Sequence, residues 1–145
     1  MGALDIQVVI DCSDPRRLAE FWAAALNYIL QPPPPGFDSW EEFAERIGIP
    51  REDRDSYAAV VDPEGVKPRI LLQKVPETKT VKNRVHLDID VAPGVAFGSE
   101  ERKAAARARS EQLTARGATL LREFNEPIGW WLLMTDPEGN EFCLH

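Results

Sequence analysis

The chain has 145 residues, a net charge of −7, 43% hydrophobic residues and 28% charged residues. This composition is typical of a soluble globular protein with its own hydrophobic core, although two half-domains of about 70 residues would also fit. The acidic balance argues against nucleic acid or an anionic membrane as a partner, because both require a basic surface.

The first half predicts a strand, a helix and a hairpin, which is one strand fewer than the second half. The alternating segment LDIQVVIDC is typical of a strand. Asp14 then provides an N-cap, Pro15 suits the first helical position, and apolar residues at helical spacing continue to about Asn27. The proline-rich QPPPPGFD is a loop. A Ser39…Glu42 capping box begins an extra helix, SWEEFAERIGIP, and SYAAVVDPEGVKPRILLQKV predicts two strands around a DPEG turn.

The second half repeats this plan after the polar linker PETKTVKN. The strict alternation of RVHLDIDV predicts a strand with Val85, Leu87 and Ile89 on its apolar face. SEERKAAARARSEQLTARGA is typical of a helix with acidic residues in its first turn and a glycine stop. TLLREFN predicts a strand, EPIG interrupts the pattern, and WWLLMTDPEGNEFCLH predicts a second DPEG hairpin.

The two DPEG turns begin 74 residues apart (136 − 62), at matching places in two similar halves. One such turn could occur in any hairpin, because Asp-Pro opens a turn and glycine adopts the left-handed conformation. Two turns in the same context indicate an internal duplication of a βαβββ unit. We therefore predict an α+β fold and a single domain over residues 1–145, with modules at about 5–75 and about 84–145.

Three segments carry a resemblance to a known family: IQVVIDCSDPRRLAEFW, RVHLDIDV and the two hairpins, of which the last is MTDPEGNEFCLH. They resemble the vicinal oxygen chelate superfamily, the group of glyoxalases, bleomycin resistance proteins and extradiol dioxygenases. KNRVHLDIDV together with DPEGNEFC resembles its actinobacterial glyoxalase-like branch. The resemblance covers the chain apart from about residues 31–55. It implies two paired modules whose sheets curve around a pocket, where metal-dependent members bind substrates that chelate the metal through two neighbouring oxygens.

The alternation of RVHLDIDV places His86, Asp88 and Asp90 together on the polar strand face. The resemblance implies that this face lines the pocket and that His86 stands at a metal-ligand position. A histidine that is only hydrogen-bonded is an equally acceptable interpretation. Asp88 could orient His86 or add a carboxylate to the site.

The resemblance also places ligand positions at Gln7, at Cys143 and, in the first half, at Leu71 or Gln73. Metal-dependent glyoxalases have Glu where this chain has Cys143. A pocket-lining glutamine and a buried cysteine are the plainer interpretations. A neutral, soft ligand set is unsuited to magnesium, manganese or nickel. If a divalent metal is bound, we expect zinc, held by His86, Gln7 and Cys143.

Four tryptophans complete the set of candidate residues. Trp130 and Trp131 are adjacent on one strand and face opposite ways, and we place Trp131 in the pocket. Trp22 and Trp40 fit the core faces of the two first-half helices.

The leading prediction is a glyoxalase-like protein that binds a small organic ligand. The pocket residues are Gln7, Gln73, His86, Asp88, Trp131 and Cys143. The alternative is a metal-dependent lyase, isomerase or dioxygenase in which Glu141 or Asp88 replaces the missing catalytic carboxylate. A third alternative is an interaction module that uses the extra helix as its contact surface.

Location and partners follow from simple exclusions. No apolar run approaches the ~20 residues of a membrane-spanning helix, and the start lacks a basic segment followed by an apolar one. Two cysteines do not make a disulfide framework. We therefore expect a cytoplasmic protein with free thiols, a small-molecule ligand, and no nucleic-acid or membrane partner. The resemblance favours a homodimer.

Overall fold

The computed structural model describes residues 1–145, and their contacts divide the chain into two compact units, Met1–Thr78 and Lys79–His145. We call these units module 1 and module 2. Each contains a strand, a helix and three further strands, and each builds its own four-stranded mixed sheet. The predicted α+β fold with a duplicated βαβββ plan is confirmed.

Both modules open with a strand that is followed by a helix. Module 1 contains β1 (Val8–Cys12), α1 (Pro15–Leu26), β2 (Ile29–Leu30), α2 (Trp40–Arg46), a short 3₁₀ turn (Arg51–Asp53), β3 (Tyr57–Val61) and β4 (Ile70–Lys74). Module 2 contains β5 (Leu87–Ile89), α3 (Glu100–Thr114), β6 (Thr119–Glu126), β7 (Gly129–Thr135) and β8 (Glu141–Leu144).

The sheet of module 1 has the strand order β1-β4-β3-β2, with β1 parallel to β4 and the other pairs antiparallel. Helix α1 begins at Asp14, whose carboxylate accepts a hydrogen bond from the Arg17 backbone N–H at 3.1 Å. It ends at Asn27, which adopts the left-handed conformation. Apolar side chains of α1 and of the central strands form the core: Leu18, Phe21, Trp22, Ala25, Val60, Ile70 and Leu72.

The sheet of module 2 has the order β5-β8-β7-β6, again with one parallel pair, β5 and β8. Helix α3 begins at Ser99, whose hydroxyl accepts a hydrogen bond from the Arg102 backbone N–H at 3.2 Å. The helix contacts β7 and β6. Its small and apolar side chains meet alternate residues of the sheet, and the buried set is Ala106, Leu113, Trp130, Leu132, Met134, Phe142 and Leu144.

The two DPEG segments form the same turn in both modules. The carboxylates of Asp62 and Asp136 each accept hydrogen bonds from backbone N–H groups of the residues that follow, at 2.9–3.1 Å. Gly65 and Gly139 have φ values of 69° and 88°, which residues with a Cβ rarely adopt. The repeated motif therefore has a local structural reason, independent of any function.

Two charged side chains of module 2 are buried, Asp136 in the DPEG turn and Arg102 in α3, and Arg102 binds several segments of the chain. Arg102, 3% exposed, donates hydrogen bonds to the Asp90 carboxylate at 2.5 Å and to the carbonyls of Ala92 and Val95 at 2.7 Å. It also donates to the His145 carbonyl at 3.2 Å. The prediction that Asp90 shares the polar face of the preceding strand is therefore wrong. Strand β5 ends one residue earlier, and Asp90 turns to α3 instead.

Other local expectations are also corrected by the structure. The strand that the first half lacked is present as the two-residue β2. The interruption predicted at EPIG is present, as the turn at residues 127 and 128 that joins β6 to β7. Trp40 is 45% exposed, and its indole N–H donates to the Gln31 carbonyl at 2.8 Å, so it does not belong to the core. Val85 lies before β5 and is exposed, while Leu87 and Ile89 are half-buried.

None of the three α-helices has the length and apolar character that a membrane crossing requires.

Candidate functional site

The sheet of module 2 has one face under α3 and one face turned away from it, which we call the distal face of that module. Strand β7 alternates between buried residues, such as Leu132 and Met134, and half-buried ones, such as Trp131 and Leu133. Since neighbouring residues of a strand point to opposite faces, the second set lies on the distal face. Leu133 is opposite Cys143 of β8, so the thiol belongs to the same face.

The parallel pairing of β5 with β8 brings the predicted polar residues together. Asp88 lies opposite Cys143, and His86 precedes Asp88 by two residues and shares its face. The Nδ1 atom of His86 is 3.0 Å from Asp88 Oδ1 and 4.0 Å from Cys143 Sγ. One donor atom from each of the three residues lies within 4.8 Å of the other two. We call His86, Asp88 and Cys143 the donor cluster.

The donor cluster does not have the geometry of a nucleophilic cysteine site. In such a site the thiol and the carboxylate contact different nitrogens of the imidazole, so that the ring can relay a proton between them. Here both contact the same nitrogen, Nδ1 of His86. Burial and, after it, the negative charge of Asp88 raise the pKa of the Cys143 thiol to about 11. The thiol is therefore protonated at neutral pH and is a poor nucleophile.

The same three side chains lie close enough together to bind a metal ion. Zinc binds sulfur, nitrogen and oxygen ligands, and a tetrahedral ion would hold sulfur and nitrogen about 3.5 Å apart and nitrogen and oxygen about 3.4 Å apart. In the donor cluster, the distance from Cys143 Sγ to His86 Nδ1 is 4.0 Å and that from His86 Nδ1 to Asp88 Oδ1 is 3.0 Å. Each differs by about half an ångström from the spacing expected around zinc. An ionised Cys143 and Asp88 would match the two charges of the cation. Three protein ligands also leave a fourth position for a ligand oxygen.

Glu141 lies beside the donor cluster, two residues before Cys143 on β8, and is held by its neighbours. Its carboxylate accepts hydrogen bonds from Lys82 Nζ at 3.0 Å and from the Asn83 backbone N–H at 2.9 Å. Partial burial works against the charged form, but the bonds from Lys82 and Asn83 outweigh it and keep the pKa of Glu141 below its usual range. Glu141 is therefore ionised and already engaged, which limits its strength as a proton acceptor.

The two tryptophans of β7 face opposite ways, as the strand period requires. Trp130 is buried on the helix side, where its indole N–H donates to Glu123 at 2.7 Å and Arg107 lies over its ring. Trp131 lies on the distal face and stacks on Phe124 of β6, with ring centroids 4.9 Å apart and planes 10° from parallel. Trp131 is two residues along β7 from Leu133, which puts it roughly 8 Å from Cys143.

The two glutamines predicted in module 1 are not brought together. Gln7 precedes β1, and its side-chain carbonyl accepts a hydrogen bond from Arg69 Nη1 at 2.7 Å. Gln73 lies opposite Asp11, four residues farther along β1, which corresponds to about 13 Å. The positive charge of Arg69 beside Gln7 disfavours a cation there.

Several residues at these sites were not predicted from the sequence as functional residues. Lys82 and Asn83 lie in the segment taken as a linker, and their polarity alone carried no positional signal. Phe124 was assigned only to a strand, and its pairing with Trp131 depends on the register of β6 with β7. Arg69 was assigned only to the first DPEG hairpin and Gln31 only to the proline-rich loop, and neither position carried a functional signal.

Comparison with known families matches residues 7–145 to the profile described as a glyoxalase-like domain. No curated protein matches the chain. The matched segment begins at Gln7 and includes the donor cluster, both helices that cover the sheets, and both DPEG turns.

Solved structures with a similar fold span almost the whole chain. A glyoxalase/bleomycin resistance protein/dioxygenase family enzyme from Burkholderia phytofirmans has 18% identity and a TM-score of 0.62, covering 95% of this chain and 94% of that one. A possible glyoxalase from Bacillus cereus has 14% identity and a TM-score of 0.59, covering 98% of each. A mutant of the fosfomycin resistance protein FosX from Listeria monocytogenes, complexed with Mn(II) and 1S,2S-dihydroxypropylphosphonic acid, has 11% identity and a TM-score of 0.66. It covers 100% of this chain and 92% of that one.

Proposed function

Since the chain belongs to the glyoxalase-like domain family of the vicinal oxygen chelate superfamily, we propose that it binds a small organic ligand on the distal face of module 2. The observation that carries this proposal is that one strand face holds both the donor cluster and the Trp131–Phe124 stack. A flat apolar surface beside a few convergent polar groups is the usual composition of a small-molecule site.

The aromatic pair favours a planar ligand. Trp131 and Phe124 are half-buried, so part of each ring is accessible, and the guanidinium carbon of Arg122 lies 4.5 Å from the centre of the Phe124 ring. Stacked aromatic pairs contribute roughly 0.5–1.5 kcal/mol beyond their buried area. A ligand ring that extends this stack would place its polar substituents toward Cys143, roughly 8 Å away.

A second proposal concerns the cofactor, and the donor cluster favours it. We propose that His86, Asp88 and Cys143 hold a divalent ion and that zinc is preferred, because a thiolate and an imidazole are softer ligands than a carboxylate set. The distant FosX structure contains Mn(II), which the thiolate here would disfavour. Asp88 takes the third position, and Gln7 is not required for it.

The enzymatic alternative is a metal-dependent lyase, isomerase or dioxygenase. A bound divalent ion would supply Lewis-acid polarisation of a ligand oxygen. Within the chain, Glu141 and Asp88 are the proton acceptors nearest to the cluster. Glu141 is weakened as a base by its bonds to Lys82 and Asn83, and Asp88 is itself a ligand in the proposed cation site, so neither carboxylate is a free proton acceptor. Binding without catalysis is therefore the leading proposal.

Titration calorimetry with zinc and with manganese tests the metal proposal. We expect one zinc ion per chain and weaker manganese binding, with zinc affinity reduced at least about tenfold in both His86→Ala and Cys143→Ser. Cys12→Ser, which changes the other buried cysteine in module 1, is the matched control and should bind zinc normally. Manganese binding tighter than zinc, or an effect of Cys12→Ser equal to that of Cys143→Ser, would contradict the assignment.

Catechol and phenol test the ligand proposal as a matched pair, because only catechol has two neighbouring oxygens. We expect both to bind the zinc-loaded protein and catechol to bind more tightly. Trp131→Ala should weaken both by roughly fivefold through the loss of stacking, whereas Trp40→Ala should leave both unchanged. Tryptophan fluorescence quenching and calorimetry measure these affinities. Equal effects of the two tryptophan substitutions would place the ligand away from the distal face.

A further inference from the structure

An arginine of module 1 is bound to two neutral side chains. Arg69 is half-buried and donates from Nε to the side-chain carbonyl of Gln31 at 2.8 Å and from Nη1 to that of Gln7 at 2.7 Å. Both acceptors are uncharged amides, and the chain places no carboxylate in ion-pair contact with this guanidinium. A partly desolvated cation is thus left without a counter-charge, which is an uncommon arrangement for a structural arginine.

The chemistry of the three groups determines how they can meet a ligand. A guanidinium has five N–H groups and accepts no hydrogen bond, so both glutamine side chains must turn their oxygens toward Arg69. Their –NH₂ groups then point away from the cation and remain donors. Only two of the five Arg69 donors are used within the chain, and Nη2 forms no hydrogen bond there. The cluster therefore presents donors only, around one positive charge.

Three separate segments hold this cluster in place. Gln7 and Arg69 directly precede the parallel strands β1 and β4, and the Val8 N–H donates to the Arg69 carbonyl at 3.4 Å. Gln31 follows β2, and its N–H donates to the Ala59 carbonyl at 2.8 Å.

The inserted helix α2 supports the same position. Trp40, its first residue, donates its indole N–H to the Gln31 carbonyl at 2.8 Å. The backbone of Gln31 is therefore fixed through both its N–H and its carbonyl, which leaves its side chain directed to Arg69. Trp40, in the inserted segment of residues 31–55, thus helps to hold Gln31 beside the arginine.

We propose that Arg69, Gln7 and Gln31 form a binding site for the carboxylate of a small organic molecule on module 1. A planar carboxylate matches the two-oxygen geometry that a guanidinium recognises, and charge-assisted hydrogen bonds of this kind are among the stronger ones in proteins. The proposal rests on module 1 alone and is independent of the function proposed for module 2.

The competing interpretation is that Arg69 only fastens three segments of module 1 together. Gln7→Glu separates the two interpretations, because a new carboxylate beside Arg69 would satisfy its charge from within the chain. This substitution should preserve or strengthen a fastening role, yet it should abolish the attraction for an external carboxylate.

The experiment is a titration followed through the side-chain N–H signals of arginine by ¹⁵N nuclear magnetic resonance at constant ionic strength, with benzoate as the probe. Benzamide is the neutral control, inorganic phosphate is the comparison anion, and Arg69→Gln assigns the signal. We expect a saturable benzoate shift of the Arg69 Nε–H signal and little response to benzamide. Affinity should fall by about tenfold or more in Gln7→Glu. Arg16→Gln, at an exposed helix position, should bind like the wild type.

Three results would overturn the proposal: no saturable shift with benzoate, equal benzoate affinity in Gln7→Glu, or tighter binding of phosphate than of benzoate. If Gln7→Glu does not give the dispersed amide spectrum of a folded protein, Gln31→Glu provides the same internal carboxylate from the other side of Arg69.

Discussion

The two modules share one backbone plan but carry opposite chemistry at equivalent positions. In module 1 Val9 lies opposite Leu71, and in module 2 Asp88 lies opposite Cys143 in the same kind of parallel pair. Two residues earlier in each strand, the same registers place Gln7 opposite Arg69 and His86 opposite Glu141. The four equivalent positions are therefore Gln7, Val9, Arg69 and Leu71 in module 1, and His86, Asp88, Glu141 and Cys143 in module 2. Module 2 thus offers a cation its donors, whereas module 1 has an arginine and two apolar side chains.

This difference shows that duplication of the fold did not conserve the site. Strand register and the DPEG turns are properties of the backbone and of a few turn residues, so both modules keep them. Apart from the buried Cys143, the side chains at these positions are half-buried or exposed, so they can differ with little effect on the core. We therefore expect changes at these positions to alter binding more than stability.

The largest expected effect contrasts two arginines. Arg102→Met in module 2 leaves the Asp90 carboxylate and several carbonyls without their donor, and we expect a loss of about 3 kcal/mol in the free energy of unfolding. Arg69→Met in module 1 leaves only two amide oxygens that water can reach, so the loss should stay within about 1 kcal/mol. Urea unfolding of both variants measures the difference. Equal losses would mean that Arg69 has the same structural role as Arg102.

The second effect is the pH dependence of zinc binding to module 2. Because the Cys143 thiol has a pKa of about 11, zinc must displace its proton at neutral pH. Between pH 8 and pH 6.5, apparent zinc affinity should therefore fall by about tenfold per pH unit, with about one proton released per ion. Calorimetry in buffers of different ionisation enthalpy counts that proton. Zinc binding that is independent of pH over this range would remove Cys143 from the ligand set.

The smallest effect is a loss of stability in alkaline solution that depends on the same thiol. The pKa of an unperturbed thiol is 9.0 and the pKa of Cys143 in the folded protein is about 11. As pH rises, the thiol of the unfolded chain therefore loses its proton first. The metal-free protein should therefore lose stability between about pH 9 and pH 11, by about 1–2 kcal/mol. Burial of the thiol is the main cause of its raised pKa, and the smaller contribution of the exposed Asp88 charge is screened by solvent.

Cys143→Ala should remove this alkaline component, and Cys12→Ala in module 1 is the matched substitution of a buried cysteine. Thermal unfolding at intervals of pH measures both. An alkaline decline that persists unchanged in Cys143→Ala would assign it to other groups.

Local signals predicted most of the fold because their physical causes are local. The Asp14 and Ser39 caps, the left-handed glycines of the DPEG turns and the alternation of β7 all act within a few residues. The two-residue β2 was missed because its pattern is too short to register a period. The placement of the chain in an actinobacterial branch and the formation of a homodimer stay predictions.

The residues of the candidate site were also predicted only in part from the sequence. Alternation in RVHLDIDV correctly separated His86 and Asp88 from the apolar side chains, but it extended the polar face to Asp90. That error arose because the strand ends where Arg102, twelve residues later in the chain, draws Asp90 to the helix. No pattern within the strand contains that information.

The sequence by itself determined the duplicated α+β plan, the turns and the faces on which the residues of β5 and β7 lie, since these follow from backbone geometry and short-range hydrogen bonds. Only the tertiary structure decided which of those residues meet. The parallel pairing of β5 with β8 joins Asp88 to Cys143, and the pairing of β1 with β4 joins Gln7 to Arg69. Each of these contacts spans more than 50 residues of chain, and its energy depends on a register that is set by packing against a helix.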